Sequence, residues 1–220
     1  MNSLNDKVSV ITGGNTGLAL ESGKRLAKAG ATVILTSRYP QKGEIAVKDI
    51  NEYCKKVGVI NDNIYSLPLD LCDLEIVKNF INVYQKSHVG NQKINVLMNN
   101  TGVMAIPERE LTKDGYERSF QTNYLGHFAL TASLMPKLHT NDSGAKVINV
   151  SSSAYMFASE LFVKGFKLED WNSEKGYLPW VSYGRSKLPG IVRTDLARYL
   201  IGDDFVSIQD KEAPKFKPTP

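Results

Sequence analysis

Apolar positions in the first two thirds of the chain switch repeatedly between the spacing of a strand and that of a helix. Residues 7–12 form a strand-like run to which Val8, Val10 and Ile11 bring β-branched side chains. Beyond a glycine-rich stretch, Leu18, Ser22, Leu26 and Ala29 recur at helical spacing, and Gly30 reads as a C-terminal stop. The alternation then repeats, with a strand at 32–36 and a helix at 41–57, a strand at 64–69 and a helix at 74–86, and a fourth strand at 94–98. Tyr116, Phe120, Tyr124 and Phe128 fall four apart and predict a long helix reaching towards Leu138, before a fifth strand at 147–150. Strands and helices in regular order imply right-handed crossovers and a parallel sheet covered on both faces. The predicted fold is therefore α/β, a doubly wound parallel sheet. From 154 to 181 the period gives way to an aromatic-rich stretch, and 210–220, rich in proline and charge, reads as a flexible tail. Residues 1–209 are expected to form a single domain.

Composition narrows the picture without redirecting it. The chain of 220 residues suits one well-buried domain. No apolar run approaches the ~18 residues of a membrane span, and the first residues lack a signal-peptide core, so a cytoplasmic location is expected. The net charge of +4 comes from scattered lysines and arginines, which argues against nucleic-acid binding. Cys54 and Cys72 have no metal-site or redox spacing and read as packing residues.

Three places carry candidate chemistry. The loop Thr12-Gly13-Gly14-Asn15-Thr16-Gly17-Leu18-Ala19 lies between the first strand and the first helix, where glycines 13 and 17 would let a pyrophosphate approach backbone amides. The second strand ends Leu35-Thr36-Ser37-Arg38, where enzymes that bind NAD place an acidic residue on the ribose. A planar cation stands there instead, which favours NADP(H) over NAD(H). Tyr183 and Lys187 are one helical turn apart, and a cation beside a phenol favours the phenolate, making it a usable proton donor or acceptor near neutral pH.

Together with Asp70-Leu71 after the third strand, Asn99-Asn100-Thr101-Gly102 after the fourth, Asn123 in the long helix and Ser151-Ser152-Ser153 after the fifth, these segments resemble the short-chain dehydrogenase/reductase family. The resemblance spans residues 5–195, and the wording of the motifs is most similar to the retinol-dehydrogenase and carbonyl-reductase branch. It implies a Rossmann-type NADP(H)-dependent oxidoreductase that interconverts a carbonyl and an alcohol, acting on a small lipophilic substrate. By position, Tyr183 would be the general acid or base, and Lys187 would support it and hold the nicotinamide ribose. Ser152 would bond the substrate oxygen and Asn123 would help position a water. Gly13, Asn15, Thr16, Gly17, Leu18, Arg38, Asp70, Leu71, Asn100, Gly102 and Thr194 would border the cofactor. Ser151 and Ser153 stay open as alternatives to Ser152, Asn123 can equally be a structural hydrogen-bonder, and His127 reads as a packed helix residue.

The sequence departs from the family pattern at three places. Ala19 replaces the third glycine of the loop, and Thr101 replaces an alanine. Pro189-Gly190 follows Lys187 almost at once, where the family has a longer helix and a further strand before its Pro-Gly and threonine. The expectation is a sheet truncated at the sixth and seventh strands and an incomplete version of the helix that builds homo-oligomers in the family. The alternative reading that follows is a shortened, catalytically impaired relative that binds nucleotide or a protein partner without turnover.

Overall fold

A computed structural model describes residues 4–140, 144–156 and 170–187 of the chain. Thr194, the 189–195 junction and the 210–220 tail lie outside the described residues. Five strands form one parallel sheet: β1 (Val8–Ile11), β2 (Thr32–Ser37), β3 (Ile64–Pro68), β4 (Val96–Asn99) and β5 (Lys146–Asn149), in the order β3-β2-β1-β4-β5. Helices α1 (Gly17–Lys28), α2 (Pro40–Lys56) and α3 (Leu74–Lys86) connect the first four strands. The strand order reverses at β1, so the loops after β1 and β4 diverge and leave a crevice at the carboxyl ends of the strands.

Alternation along the strands divides the core in two. Val8, Val10, Ile34 and Leu97 join Val77, Phe80 and Tyr84 of α3 in one cluster, while Ile11, Val33 and Leu35 join Ala19 and Ala27 of α1 and Ile50 of α2 in the other. Each fully buried large apolar side chain is worth about 1.5–3 kcal/mol, so the two clusters clamp the helices on opposite faces. Ala19 is fully buried and fits where the family loop has glycine. Helix α1 approaches α2 at Gly23, where a Cβ would stand 3.0 Å from Ile50.

Two elements differ from the sequence reading. Ile94 makes only an isolated bridge to Leu138, and β4 starts at Val96. The long helix is composite: a single α turn, α4 (Arg118–Phe120), passes into a π-helical segment at Gln121–Leu125 and then into α5 (Gly126–Leu134), with a 3₁₀ turn at Met135–Lys137. Side chains four apart drift about 40° per repeat on a helix of 3.6 residues per turn. The wider π turn offsets part of that drift and keeps Tyr116, Phe120, Tyr124 and Phe128 as a ladder, with successive ring centroids 6.5, 5.5 and 6.4 Å apart. Trp171 stacks on Phe120 at 4.9 Å, and Asn172 accepts from the Glu117 amide, closing the 170–173 turn over the start of this helix. The last described helix, α6 (Pro179–Lys187), carries the tyrosine and lysine.

Candidate active site

A cleft of about 220 Å³ opens at the reversal of strand order, lined by Gly13, Asn15, Arg38, Asp70, Leu71 and Thr101 among others. Its floor is set by backbone. Gly13 has φ +65° and lies so close to Thr101 that a Cβ would stand 2.6 Å from the Thr101 hydroxyl. Gly14, which the sequence reading passed over, packs on Leu35, whose own Cβ a Gly14 side chain would meet at 2.7 Å. Gly17, at φ +58°, has open space in front of it at the start of α1. Thr16 is the extended N-cap residue of that helix, and Leu18 is 73% exposed, so neither lines the cleft.

At the end of β2, the guanidinium of Arg38 lies 4.8 Å and the ammonium of Lys42 5.1 Å from the ring centre of Tyr39. Tyr39 and Lys42 line the cleft but were missed in the sequence, where the only signal was their position directly after Arg38. Asp70 shapes its own turn by accepting from the Cys72 amide at 2.9 Å. The Leu71 carbonyl accepts from the Gln121 amide side chain, and Gly126 lets the composite helix approach it, since a Cβ there would stand 2.8 Å from that oxygen.

Across the cleft the polar groups are buried. Tyr183 and Lys187 are 8% and 6% exposed. The Lys187 ammonium lies 5.8 Å from the centre of the Tyr183 ring, and it donates to the Val150 carbonyl at 3.2 Å. Ser151 donates to the Lys187 carbonyl at 2.8 Å, so both ends of the lysine are tied to the segment leaving β5. Burial holds the Lys187 ammonium below the usual lysine range. Gly102 leaves room for this group, because a Cβ there would stand 3.1 Å from Nζ and 3.3 Å from the Asn123 side chain.

Asn123 sits in the π segment, where helices are often adapted for function. Its side-chain oxygen accepts from the Val103 amide at 2.8 Å, and its nitrogen donates to the Val103 carbonyl at 2.9 Å and to Ser186 at 2.8 Å. Ser186 in turn donates to the Tyr183 carbonyl. Ser186 was missed in the sequence, where only its place one turn after Tyr183 signalled it. Ser152 follows β5 as expected, and its hydroxyl accepts from the Ala154 amide at 3.2 Å, capping the 3₁₀ turn Ser153–Tyr155. The Asn100 amide is held by the Thr12 hydroxyl, which also receives the Thr101 amide. His127 is buried as a packed helix residue should be, and burial pulls its pKa down to about 4, so the ring is neutral at pH 7. The arrangement can hold an extended anionic ligand on one side and present a buried phenol and ammonium on the other.

The short chain dehydrogenase family matches residues 7–163. Among curated relatives, human polyprenol dehydrogenase is 33% identical over 86% of this chain and 54% of its own length, and human retinol dehydrogenase 11 is 36% identical over 89% and 57%. The chain thus spans a little over half the length of these relatives. A crystal structure of an uncharacterized protein from Mycobacterium Paratuberculosis superimposes with a TM-score of 0.72 at 36% identity, covering 91% of this chain and 65% of that one. The fold is shared more widely, as in the Pseudomonas aeruginosa RhlG/NADP active-site complex, with a TM-score of 0.63 at 22% identity, 90% of this chain and 66% of that one. A glycine loop at the switch point of a parallel sheet, a buried tyrosine and lysine one turn apart, and these matches together place the chain in the short-chain dehydrogenase/reductase family, with retinol dehydrogenases among its relatives.

Proposed function

We propose that the protein is an NADP(H)-dependent oxidoreductase that interconverts a carbonyl and an alcohol. The observation that carries the reading is the convergence of Tyr183, Lys187, Asn123 and Gly102 beside the cleft at the carboxyl ends of β1 and β4. The residues fit a dinucleotide: Gly13 keeps the floor flat, Gly17 leaves the start of α1 open, and Arg38 with Lys42 puts two cations where a 2′-phosphate would lie. Asp70 and Leu71 border the adenine end, Asn100 and Gly102 the nicotinamide end, and Asn15 and Thr16 belong to the loop before α1, with Leu18 in that helix's first turn.

The bound cofactor supplies or removes the hydride. Tyr183 protonates the substrate oxygen in reduction and takes the proton back in oxidation. Lys187, fixed by the Val150 carbonyl, places a positive charge where it favours the phenolate that proton transfer leaves behind. Ser152 bonds the substrate oxygen, and Asn123 orders the groups around the relay. Each step needs the reacting atoms in register, which the tethering of Lys187 and Asn123 supports.

A small lipophilic substrate is supported by the names of the relatives, which act on polyprenol and retinol. Trp180, half exposed and edge-on to Tyr183 at 6.2 Å, gives the site an apolar rim. A homo-oligomer accords with the family. The cytoplasmic setting expected from the sequence belongs to the same proposal; no described helix is long and apolar enough to cross a membrane.

Purified protein tested by fluorescence titration should bind NADPH more tightly than NADH, and should consume NADPH with long-chain aldehydes or ketones in an absorbance assay. NADPH binding without turnover across such a panel would sink the catalytic part of the reading.

A further inference from the structure

His127 is a buried titratable ring beside Asn123 that the proposed chemistry leaves unused. A purely packing residue at this place needs no polar atoms, yet both ring nitrogens are partnered. Nδ1 lies 3.0 Å from the Asn123 backbone oxygen and Nε2 2.9 Å from the Thr12 hydroxyl. A carbonyl only accepts, so Nδ1 carries the proton and Nε2 accepts from Thr12. The tautomer is thereby fixed by its two neighbours. Burial first, and the nearby Lys187 ammonium in addition, oppose a second proton on the ring, so the Nε2 acceptor persists.

The partners reach further than the ring. Thr12 ends β1 and receives the amides of Asn100 and Thr101 from the loop after β4. Asn123 joins Val103 of that same loop to Ser186, and Ser186 holds the Tyr183 carbonyl. One continuous set of hydrogen bonds therefore runs from the glycine loop's strand, through His127, to the turn that carries the tyrosine and lysine.

We infer that His127 is a positioning residue, whose imidazole locks the Asn123 carbonyl to the Thr12 hydroxyl and so sets the Asn123 amide that orients the Tyr183–Lys187 turn. The inference rests on the oxidoreductase reading of the same site. A residue that acts by alignment should change kcat rather than cofactor affinity, and misplacement on the ångström scale costs about 100-fold.

The test compares three variants of the full chain. His127→Phe keeps a ring and removes both hydrogen bonds; kcat should fall about 10- to 100-fold, with the NADPH dissociation constant and KM unchanged and the kcat–pH midpoint displaced. His127→Gln places its amide one methylene too far from the Asn123 carbonyl and carries the same expectation should the Phe variant not fold. His127→Asn puts a donor near the Nδ1 position and should recover most of the lost kcat. An active wild type whose His127→Phe and His127→Gln variants keep wild-type kcat and pH profile overturns the inference, as does a His127→Asn variant no better than His127→Gln. If the wild type binds NADPH and reduces nothing, the oxidoreductase reading falls, and amide hydrogen exchange then decides the positioning role separately. Faster exchange at Val103 and across residues 183–187 in His127→Gln, restored in His127→Asn, supports it; unchanged exchange overturns it.

Discussion

The two sides of the cleft are built by different means. On the side of β2 and β3 the lining groups sit at or just beyond strand ends: the glycines follow β1, Thr36 and Ser37 end β2 with Arg38 and Tyr39 after them, and Asp70 and Leu71 follow β3. Their geometry comes mainly from backbone, as in the Asp70 turn, and Arg38, Tyr39 and Lys42 stand exposed. On the side of β4 and β5 the groups are buried and are held by side chains far apart in sequence, Thr12 to His127 over 115 residues and Asn123 to Ser186 over 63. An exposed ion grip loses strength by degrees when one cation is removed, because solvent and neighbours share the charge. A buried network tolerates little, since any broken bond strands a polar group away from water. The first side should thus govern how tightly a nucleotide is held, and the second whether a proton moves at the right place.

The sharpest break between the sides is Tyr183→Phe. The ring keeps its edge-on contact with Trp180, so the fold is preserved while the proton donor is lost. Turnover should fall by about 10²- to 10⁴-fold, with NADPH affinity unchanged, measured by steady-state kinetics beside fluorescence titration. A parallel loss of NADPH binding would show that the two sides are not separable.

Acid should attack the buried side through His127. Its folded pKa of about 4 lies below the value near 6.5 of an unfolded histidine, because burial disfavours the charged ring. Between pH 6.5 and 4 the unfolded chain therefore takes up a proton that the folded chain refuses, and stability falls as pH falls through that window. The loss levels off below about pH 4 and amounts to roughly 3 kcal/mol; above pH 6.5 the contribution is fully present. Urea unfolding at a series of pH values checks this, read as the difference between wild type and His127→Asn, in which that slope should vanish.

On the open side, Arg38→Ala removes one of two cations beside Tyr39 and should weaken NADPH binding about tenfold while NADH binding hardly changes. Fluorescence titrations at two salt concentrations would measure both. Equal losses for the two nucleotides would mean that Arg38 supports the loop rather than a 2′-phosphate.

The same division explains what could be read in the sequence. A parallel sheet aligns the ends of its strands, so short motifs such as Gly13–Gly17, Arg38 and Asp70-Leu71 become neighbours without further information. Helix α3 was legible at both ends because its apolar period is local, and the structure adds Asp73 as its N-cap. The π segment was not, since a four-residue aromatic spacing looks α-helical until the wider turn is seen. Ser186 and the Thr12–His127 bond were hidden for a different reason: each depends on which distant residues the finished fold brings within 3 Å. The closeness of Tyr183 and Lys187 was legible because it is local, one turn of one helix.

The smallest effect separates the two serines that leave β5. Ser151 donates to the Lys187 carbonyl, a structural tether behind the ammonium, whereas Ser152 caps the short turn that follows. If Ser151 is part of the scaffold, Ser151→Ala costs one hydrogen bond, about 1 kcal/mol, which for a chain of this size lowers Tm by about 2–4 °C. If Ser152 bonds the substrate oxygen, Ser152→Ala should leave Tm nearly unaltered and reduce kcat about 10- to 100-fold, as removal of a donor at a developing charge does. Thermal melts and kinetics on the pair therefore give opposite signatures. A Ser151→Ala enzyme that melts like wild type but has lost turnover would exchange the two roles and place the substrate oxygen on the other side of the β5 end.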